Sequence, residues 1–233
     1  MPPLDRSLIA GLPAFAGLPG DQLDAILARA RSAHFARDAE IFGQDEDATA
    51  FHLLLSGHVR VVRTSPEGHQ VIARYIAEGE LFGIAMAMGR TTYPASAIAA
   101  ADCVVLTWPN AAWPDLQARV PAFGASAWQT IGTRLQETQA TVMEMATEQV
   151  EQRIARAVLR LVQQSGRKTP EGIEIDFPIT RQDIAEMTGT TLHTVSRLLS
   201  GWEQQGLVRG GRQKVTVVDP HALMLIAENR RKG

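Results

Sequence analysis

The chain reads as an α+β protein in three successive textures, and three observations carry that reading. Residues from about Ala33 to Trp108 fall into short strand-like runs separated by turn residues. From about Phe123 the turn signals stop and apolar residues recur at helical spacing. Between Thr180 and Val208 two short helical stretches flank a tight turn, and a basic β-hairpin follows.

With 233 residues, 45% of them hydrophobic and 21% charged, the chain has room for one large globular domain or two ordinary ones. No apolar run approaches the length of a membrane span, and the start "MPPLDRSLIAGLPAF" lacks a basic segment followed by an apolar one. We therefore expect a cytoplasmic protein with no membrane partner. The single cysteine, Cys103, excludes an internal disulfide and a within-chain cysteine-ligated zinc or iron–sulfur site. The net charge of -2 is unevenly spread. From Thr147 onward 13 Lys/Arg against 10 Asp/Glu give +3, leaving 10 against 15, or -5, for the residues up to Ala146. A weakly basic C-terminal part suits an anionic partner.

A helical lead-in is predicted near Leu4–Ala16 and Gly20–Ala30. In "AFHLLLSGHVRVVRTSPEGHQVIARYI" the runs "HLLL" and "VRVV" are strand-like. Ser56-Gly57 makes a turn and Ser65-Pro66-Glu67-Gly68 a hairpin connection. Gly79 opens another turn before "ELFG", and "ASAIAAADCVVLTW" supplies two more strands. Many short strands at this spacing indicate an antiparallel sandwich or barrel.

The helical texture carries a narrow seam. Ile131, Leu135, Thr138, Val142 and Met145 recur at alternating spacings of four and three, flanked by polar Arg134, Glu137, Gln139 and Glu144. A narrow seam suits a helix partner, and a second copy of the same helix supplies one, so a homodimer is expected. After Ala146 the phase breaks, and Ile154, Val158, Leu161 and Val162 form a new apolar face. This places a hinge near Thr147 and divides the chain into 1–146, with the dimer helix at about 117–146, and 147–233. The loop "QQSGRKTPEG" and a strand "IEIDF" follow.

Thr180 with Asp183 three residues on resembles a capping box. Ile184 and Met187 give the first short helix an apolar face, Gly189 can take a positive φ, and Thr190 or Thr191 can cap the next helix. In that helix Leu192, Val195, Leu199 and Trp202 share one face, and His193, Ser196, Arg197 and Ser200 share another. This is a helix-turn-helix whose second helix fits a major groove. A plain helical hairpin would carry long charged residues outside, whereas here one Arg stands among small hydroxyls and a His. Arg197 can donate two hydrogen bonds to guanine, and Thr194 and Ser196 suit bases or phosphates. Thr180, Arg181, Gln182, Thr191, His193, Ser200 and Arg212 complete the candidate DNA-contacting set. Arg212 lies in "LVRGGRQKVTVV", which reads as two strands about Arg209-Gly210-Gly211-Arg212, a wing suited to phosphates.

These stretches resemble the Crp/Fnr family of bacterial transcription regulators. "ITRQDIAEMTG…TVSRLL" is close to its helix-turn-helix signature, "LSGHVRVVRTSPEGHQVIARYIAEGELFG" to its glycine-punctuated β-roll, and the seamed helix to its dimer helix. The resemblance implies a cyclic-nucleotide-binding-like β-roll, a dimerisation helix and a C-terminal winged helix-turn-helix. It also implies a homodimer on a palindromic operator, activation through RNA polymerase, and no enzymatic activity. Ser196 and Arg197 match the family's DNA-contacting Ser-Arg pair. Where the family often has Glu, three residues before that Ser, this chain has His193, which leaves one base pair of the operator open.

Cyclic-AMP-binding members carry a Glu just after the segment matching "LFG" and an Arg-Ser pair further on. Here Ile84 and Tyr93-Pro94 stand at those places, so no cyclic AMP binding is expected. Arg90 lies nearby but outside the motif. Ile84, Met86, Met88 and Tyr93 are the candidate effector-pocket residues, expected to face the dimer helix. The effector stays open. No iron–sulfur cluster or other metal site is assigned, while a haem remains open because His34, His52, His58 and His69 fall in the sensor part and "MPP" resembles the proline start of the carbon monoxide sensor. Inert burial is expected of Cys103. "TLHTVSRLLSGWEQQGLV…GGRQ" looks most like the nitric-oxide-responsive denitrification regulators of the NnrR and Dnr type, and an effector-independent regulator of the FixK type is the alternative. A cupin-like metal enzyme would need a His-x-His pair with Glu and a further His at set spacing, which this sequence lacks.

Overall fold

The computed structural model describes residues 4–230. The Met1–Pro3 start lies outside them. By contact the chain forms two compact units: residues up to Glu67 with Arg74–Glu137, and Gly68–Ala73 with Thr138 onward. The division falls inside the long helix, ahead of the 146/147 boundary expected from the change of seam phase.

The first unit opens with α1 (Ser7–Ala10) and α2 (Gly20–Leu27). The helical lead-in expected near Leu4–Ala16 forms in two short pieces. Gly11 closes α1 and Pro13 starts a separate 3-10 turn, Pro13–Phe15, because proline lacks the N–H that would extend the helix. Eight strands follow along the chain: β1 (Arg31–Phe35), β2 (Glu40–Phe42), β3 (Ala50–Ser56), β4 (Val59–Thr64), β5 (Gln70–Ile76, whose first four residues count with the second unit), β6 (Leu81–Phe82), β7 (Ser96–Ala99) and β8 (Cys103–Pro109). They make two four-stranded sheets, ordered β1-β8-β3-β6 and β2-β7-β4-β5. Gly57 (φ 94) and Gly79 (φ 84) take the left-handed turn positions between strands.

Alternation along β3 decides its packing. Phe51 and Leu53 join a core with Ile9, Phe15, Ile26, Trp108 and Phe123, under the helices. Leu54 joins Val59, Ile76, Phe82, Ala97 and Val105, a core built from both sheets. Next come α3 (Trp113–Arg119) and α4 (Pro121–Thr147). The dimer helix expected from about 117 therefore starts at Pro121. Val120 (φ -130) breaks the chain just before it, as residues preceding proline avoid helical geometry.

The second unit contains α5 (Val150–Ser165), β9 (Gly166–Thr169), β10 (Gly172–Ile175), α6 (Arg181–Thr188), α7 (Leu192–Gln204), β11 (Val208–Gly211), β12 (Lys214–Val217) and α8 (Pro220–Ala227). Its sheet runs β11-β12-β10-β9. The stretch expected as a loop, "QQSGRKTPEG", instead completes α5 and adds a strand. Gly172 (φ 142) lets β10 lie against the Val217 carbonyl, where any Cβ would collide. Ile154, Val158 and Leu161 of α5 are buried as the new apolar face requires. A capping box between Gln149 and Gln152 starts α5 two residues after α4 stops, so the helix break sits at Glu148–Gln149.

Candidate nucleic-acid interface

The capping of α6 and α7 sets the interface. Asp183 N–H donates to Thr180 Oγ1 at 3.0 Å, and Thr180 N–H donates to Asp183 Oδ2 at 2.7 Å. Thr180 Oγ1 also donates to that carboxylate at 2.7 Å, so its hydroxyl is already committed within the chain. Gly189 (φ 60) turns the chain, and a Cβ there would press on Met145 Sδ at 3.1 Å. Of the two possible caps, Thr191 is the one used; it accepts from Thr194 N–H at 3.2 Å.

Val195, Leu199 and Trp202 are buried in the second unit, and Trp202 Nε1 donates to Glu151 Oε1 of α5 at 3.1 Å. Leu192, expected beside them, is 47% exposed. It sits in the first turn of α7, before the helix settles onto the core. His193 and Arg197 are exposed, and Thr194, Ser196 and Ser200 are half-buried.

Arg181 reaches across from α6. Its Nη2 donates to Glu203 Oε1 at 3.2 Å and its Nη1 to Ser200 Oγ at 3.5 Å. Gly210 of β11 lies against the same carboxylate, and a Cβ there would collide with Glu203 Oε1. Glu203 thus links α6, α7 and the wing, a role the sequence reading missed. The signal was a glycine in a strand with ordinary φ, which marks close approach rather than a turn. Ser200 is consequently engaged by Arg181 and Gln182 by Glu186 (2.9 Å), leaving His193 and Arg197 as the exposed residues of the stripe.

The wing turns two residues later than expected. Gly211 pairs with Lys214, so Arg212-Gln213 form the turn, with Gln213 at φ 58. Two of the wing's basic residues are bound by carboxylates: Arg209 by Glu171 at 2.5 Å and Lys214 by Glu174 at 3.2 Å. Among the described residues, Arg197 and Arg212 form no ion pair.

Because Glu203 holds Arg181 while Gly210 packs on Glu203, Glu203→Ala and Gly210→Ala should both weaken operator binding. We expect a drop of about fivefold to tenfold, the scale of one phosphate contact. Fluorescence anisotropy on labelled duplex measures it, and unchanged affinity in both variants would remove this role for Glu203.

The seam residues of α4 divide by position. Ile131 packs on the helix-side core, whereas Leu135 and Val142 are 59% and 61% exposed and Thr138 is exposed. Trp128, seven residues before Leu135, is 56% exposed and extends the seam by one heptad the sequence reading did not claim. Met145 is 37% exposed and also touches the helix-turn-helix turn. The polar flank is not simply solvated. Arg134 donates to the Leu81 carbonyl, and burial pulls its guanidinium down to about 10. Glu144 binds Arg160 at 2.6 Å, and Arg153 donates to the carbonyls of Glu148 (3.0 Å) and Thr188 (3.1 Å), tying the helix break to the end of α6.

The four candidate effector residues do not form one group. Ile84 is buried in the helix-side core with Phe123 and Ala127, as expected of a residue facing α4. Tyr93 instead stacks on Phe42 (centroids 3.8 Å), and its hydroxyl donates to the Ala50 carbonyl at 2.7 Å, which corrects its expected place against the dimer helix. Met86 and Met88 are 42% and 47% exposed on a 3-10 turn. His52 is buried beside Phe42 and Phe82 with Nδ1 3.0 Å from Thr107 Oγ1, and burial lowers its pKa to about 4, so it is neutral at ordinary pH. His34 and His69 are exposed and His58 half-buried. Among the described residues no three His, Cys, Asp or Glu gather as a metal site. Cys103 is buried, donates to the His58 and Ala101 carbonyls, and has its thiol pKa raised by that burial. No helix among the described residues is long and apolar enough to cross a membrane.

Residues 32–119 match the cyclic nucleotide-binding domain family, and residues 152–226 match the Crp-like helix-turn-helix domain family. The chain is 29% identical over 217 residues to the cyclic AMP receptor protein of Thermus thermophilus, covering 93% of this chain and 97% of that one. It is 28% identical over 175 residues to the nitrogen fixation regulation protein FixK of Azorhizobium caulinodans, covering 75% and 69%. Among solved structures, FixK2 from Bradyrhizobium japonicum superposes with a TM-score of 0.74 at 22% identity, covering 84% of this chain and 96% of that one. A CRP-family transcriptional regulator from Thermus thermophilus gives 0.72 at 25% identity over the same shares. A cyclic-nucleotide-binding-like sandwich, a long helix and a Crp-like helix-turn-helix, in that order and with these relatives, give this chain the make-up of a Crp/Fnr-type DNA-binding transcription regulator.

Proposed function

We propose that the protein acts in the cytoplasm as a homodimer on a palindromic operator, reads it with the N-terminal half of α7, and activates transcription through RNA polymerase. The observation that carries this reading is Arg197, exposed on the polar stripe of a capped helix and without an ion pair among the described residues. The sensor answers to something other than cyclic AMP. A cyclic phosphate needs a cation and oriented donors. At the two matching places this chain has Ile84, buried in apolar core, and Tyr93, whose hydroxyl is bound to the β3 backbone. The relative named for cyclic AMP therefore does not extend its ligand to this chain.

Our finer reading is a response to nitric oxide or related nitrogen oxides, with denitrification genes as targets; the sensing group stays open, with haem as one candidate. It is supported by the likeness of "TLHTVSRLLSGWEQQGLV…GGRQ" to that subgroup. The filled surroundings of Ile84 and Tyr93 favour a second reading, an effector-independent regulator of the FixK type. Selection of duplexes from a random pool by purified protein, repeated with cyclic AMP and with haem plus nitric oxide under anaerobic conditions, tests both. Cyclic AMP should leave operator affinity unchanged, and a saturable rise of about tenfold would overturn that part. Affinity raised only by haem and nitric oxide supports the first reading, and affinity indifferent to both supports the second.

A further inference from the structure

The outer face of the second unit's sheet carries charges in one row. Arg209 of β11 pairs with Thr216 of β12, Thr216 with Glu174 of β10, and Glu174 with Arg167 of β9. Directly paired residues share a face, and Lys214, two residues before Thr216, shares it too. Ile175, Val215 and Val217, which point the other way, are buried. Each cation of the row is held by a carboxylate. Arg167 binds Glu174 at 2.7 Å and Asp176 at 2.8 Å. Lys214 binds Glu174 at 3.2 Å, and Arg209 binds Glu171, in the β9–β10 turn, at 2.5 Å. Stability does not account for this pairing. Arg209, Glu171 and Lys214 are 60%, 55% and 59% exposed, and ion pairs so exposed contribute little. What the pairing changes is the charge that the wing can offer to phosphates.

We propose that Glu171 and Glu174 are specificity-determining residues that restrain sequence-independent DNA binding by neutralising Arg209 and Lys214. The inference rests on the DNA-reading role proposed above. Binding to any duplex is driven by cations that displace the counterions of its phosphates. A cation held by a carboxylate must first give up that partner, and the carboxylate left behind repels the backbone. The restraint falls hardest on random sequence, where phosphates alone hold the protein and it can shift to bring each free cation to one. On an operator the base contacts of α7 fix the wing, so a freed cation gains only what that one position allows.

The test measures fluorescence anisotropy at stepped salt on two duplexes, one of random sequence and one that the purified protein selects from a random pool. Glu171→Gln and Glu174→Gln keep the side-chain size and remove the charge. Each should raise affinity for the random duplex about fivefold and steepen the slope of log affinity against log salt by about one; together they should give about 25-fold and a change of about two. The selected duplex should gain less, so discrimination falls. The gain from Glu171→Gln should vanish in an Arg209→Ala background, and that from Glu174→Gln should shrink in Lys214→Ala, which a general effect of charge on the field would not produce. Glu171 lies in an exposed turn, so its variant decides the matter even where Glu174→Gln loosens the sheet. Unchanged affinity for the random duplex, a gain that persists without Arg209, or equal gains on both duplexes would each overturn the inference and leave DNA reading intact. If no sequence is selected from the pool, DNA reading fails and this inference fails with it.

Discussion

Replacing Leu135 and Val142 together with glutamate should convert the protein to a folded monomer and lower operator affinity by about 100-fold or more. The size follows from the geometry of binding. A dimer joins two half-sites, so its second contact is intramolecular, and losing that linkage commonly costs two or more powers of ten. The direction follows from exposure. These side chains are 59% and 61% exposed in the single chain and belong to neither buried core, so charge at either place spares the core packing. With Trp128 they recur every seventh residue along a helix of 27 residues, roughly 40 Å long. Exposed apolar residues aligned in this way lose most by staying in water. Sedimentation with a thermal melt separates the effects. A variant that still sediments as a dimer defeats the prediction, and one that fails to melt cooperatively shows damage to the fold instead.

Much of this architecture was legible in the residues, and the reasons differ from place to place. The helix-turn-helix was plain because its signals are local: Thr180, Asp183, Gly189 and Thr191 each set a backbone conformation within a few residues. Contacts distant in sequence were not legible. The pairing of Gly166–Thr169 with Gly172–Ile175 turned a supposed loop into a hairpin, since only Gly172's approach to Val217 reveals it. Arg134 looked like a solvated flank because periodicity says nothing of the Leu81 carbonyl it reaches. Leu192 obeyed the spacing of the core face yet stays outside, because the first turn of a helix can project beyond the core its later turns cover. Tyr93 was placed by its match to the family's Arg-Ser position, whereas ring stacking on Phe42 governs where it lies. The candidate site was therefore read best where one helix supplied it and worst where strands and helices had to converge.

Arg197→Ala should reduce specific operator binding by about 1–3 kcal/mol, roughly fivefold to 150-fold, and relax the preference for guanine at one position of each half-site. The guanidinium is planar and can donate two parallel hydrogen bonds to guanine O6 and N7, which no other base pair accepts in the same way. Arg197 is exposed, and no carboxylate among the described residues holds it, so little must be broken before it binds. Arg181, Arg209 and Lys214 differ in this respect, because Glu203, Glu171 and Glu174 already engage them. Arg197→Lys should recover affinity for non-specific duplex without restoring discrimination, since a single ammonium keeps the charge and loses the fork. Arg212→Ala, at the wing turn, provides the contrast. It should weaken selected and random duplexes alike and lower the slope of log affinity against log salt by about one. Competition binding on duplexes carrying each base in turn distinguishes the two outcomes. If Arg197→Ala weakens every duplex equally, Arg197 is a phosphate contact, and reading of the guanine passes to another residue of the stripe.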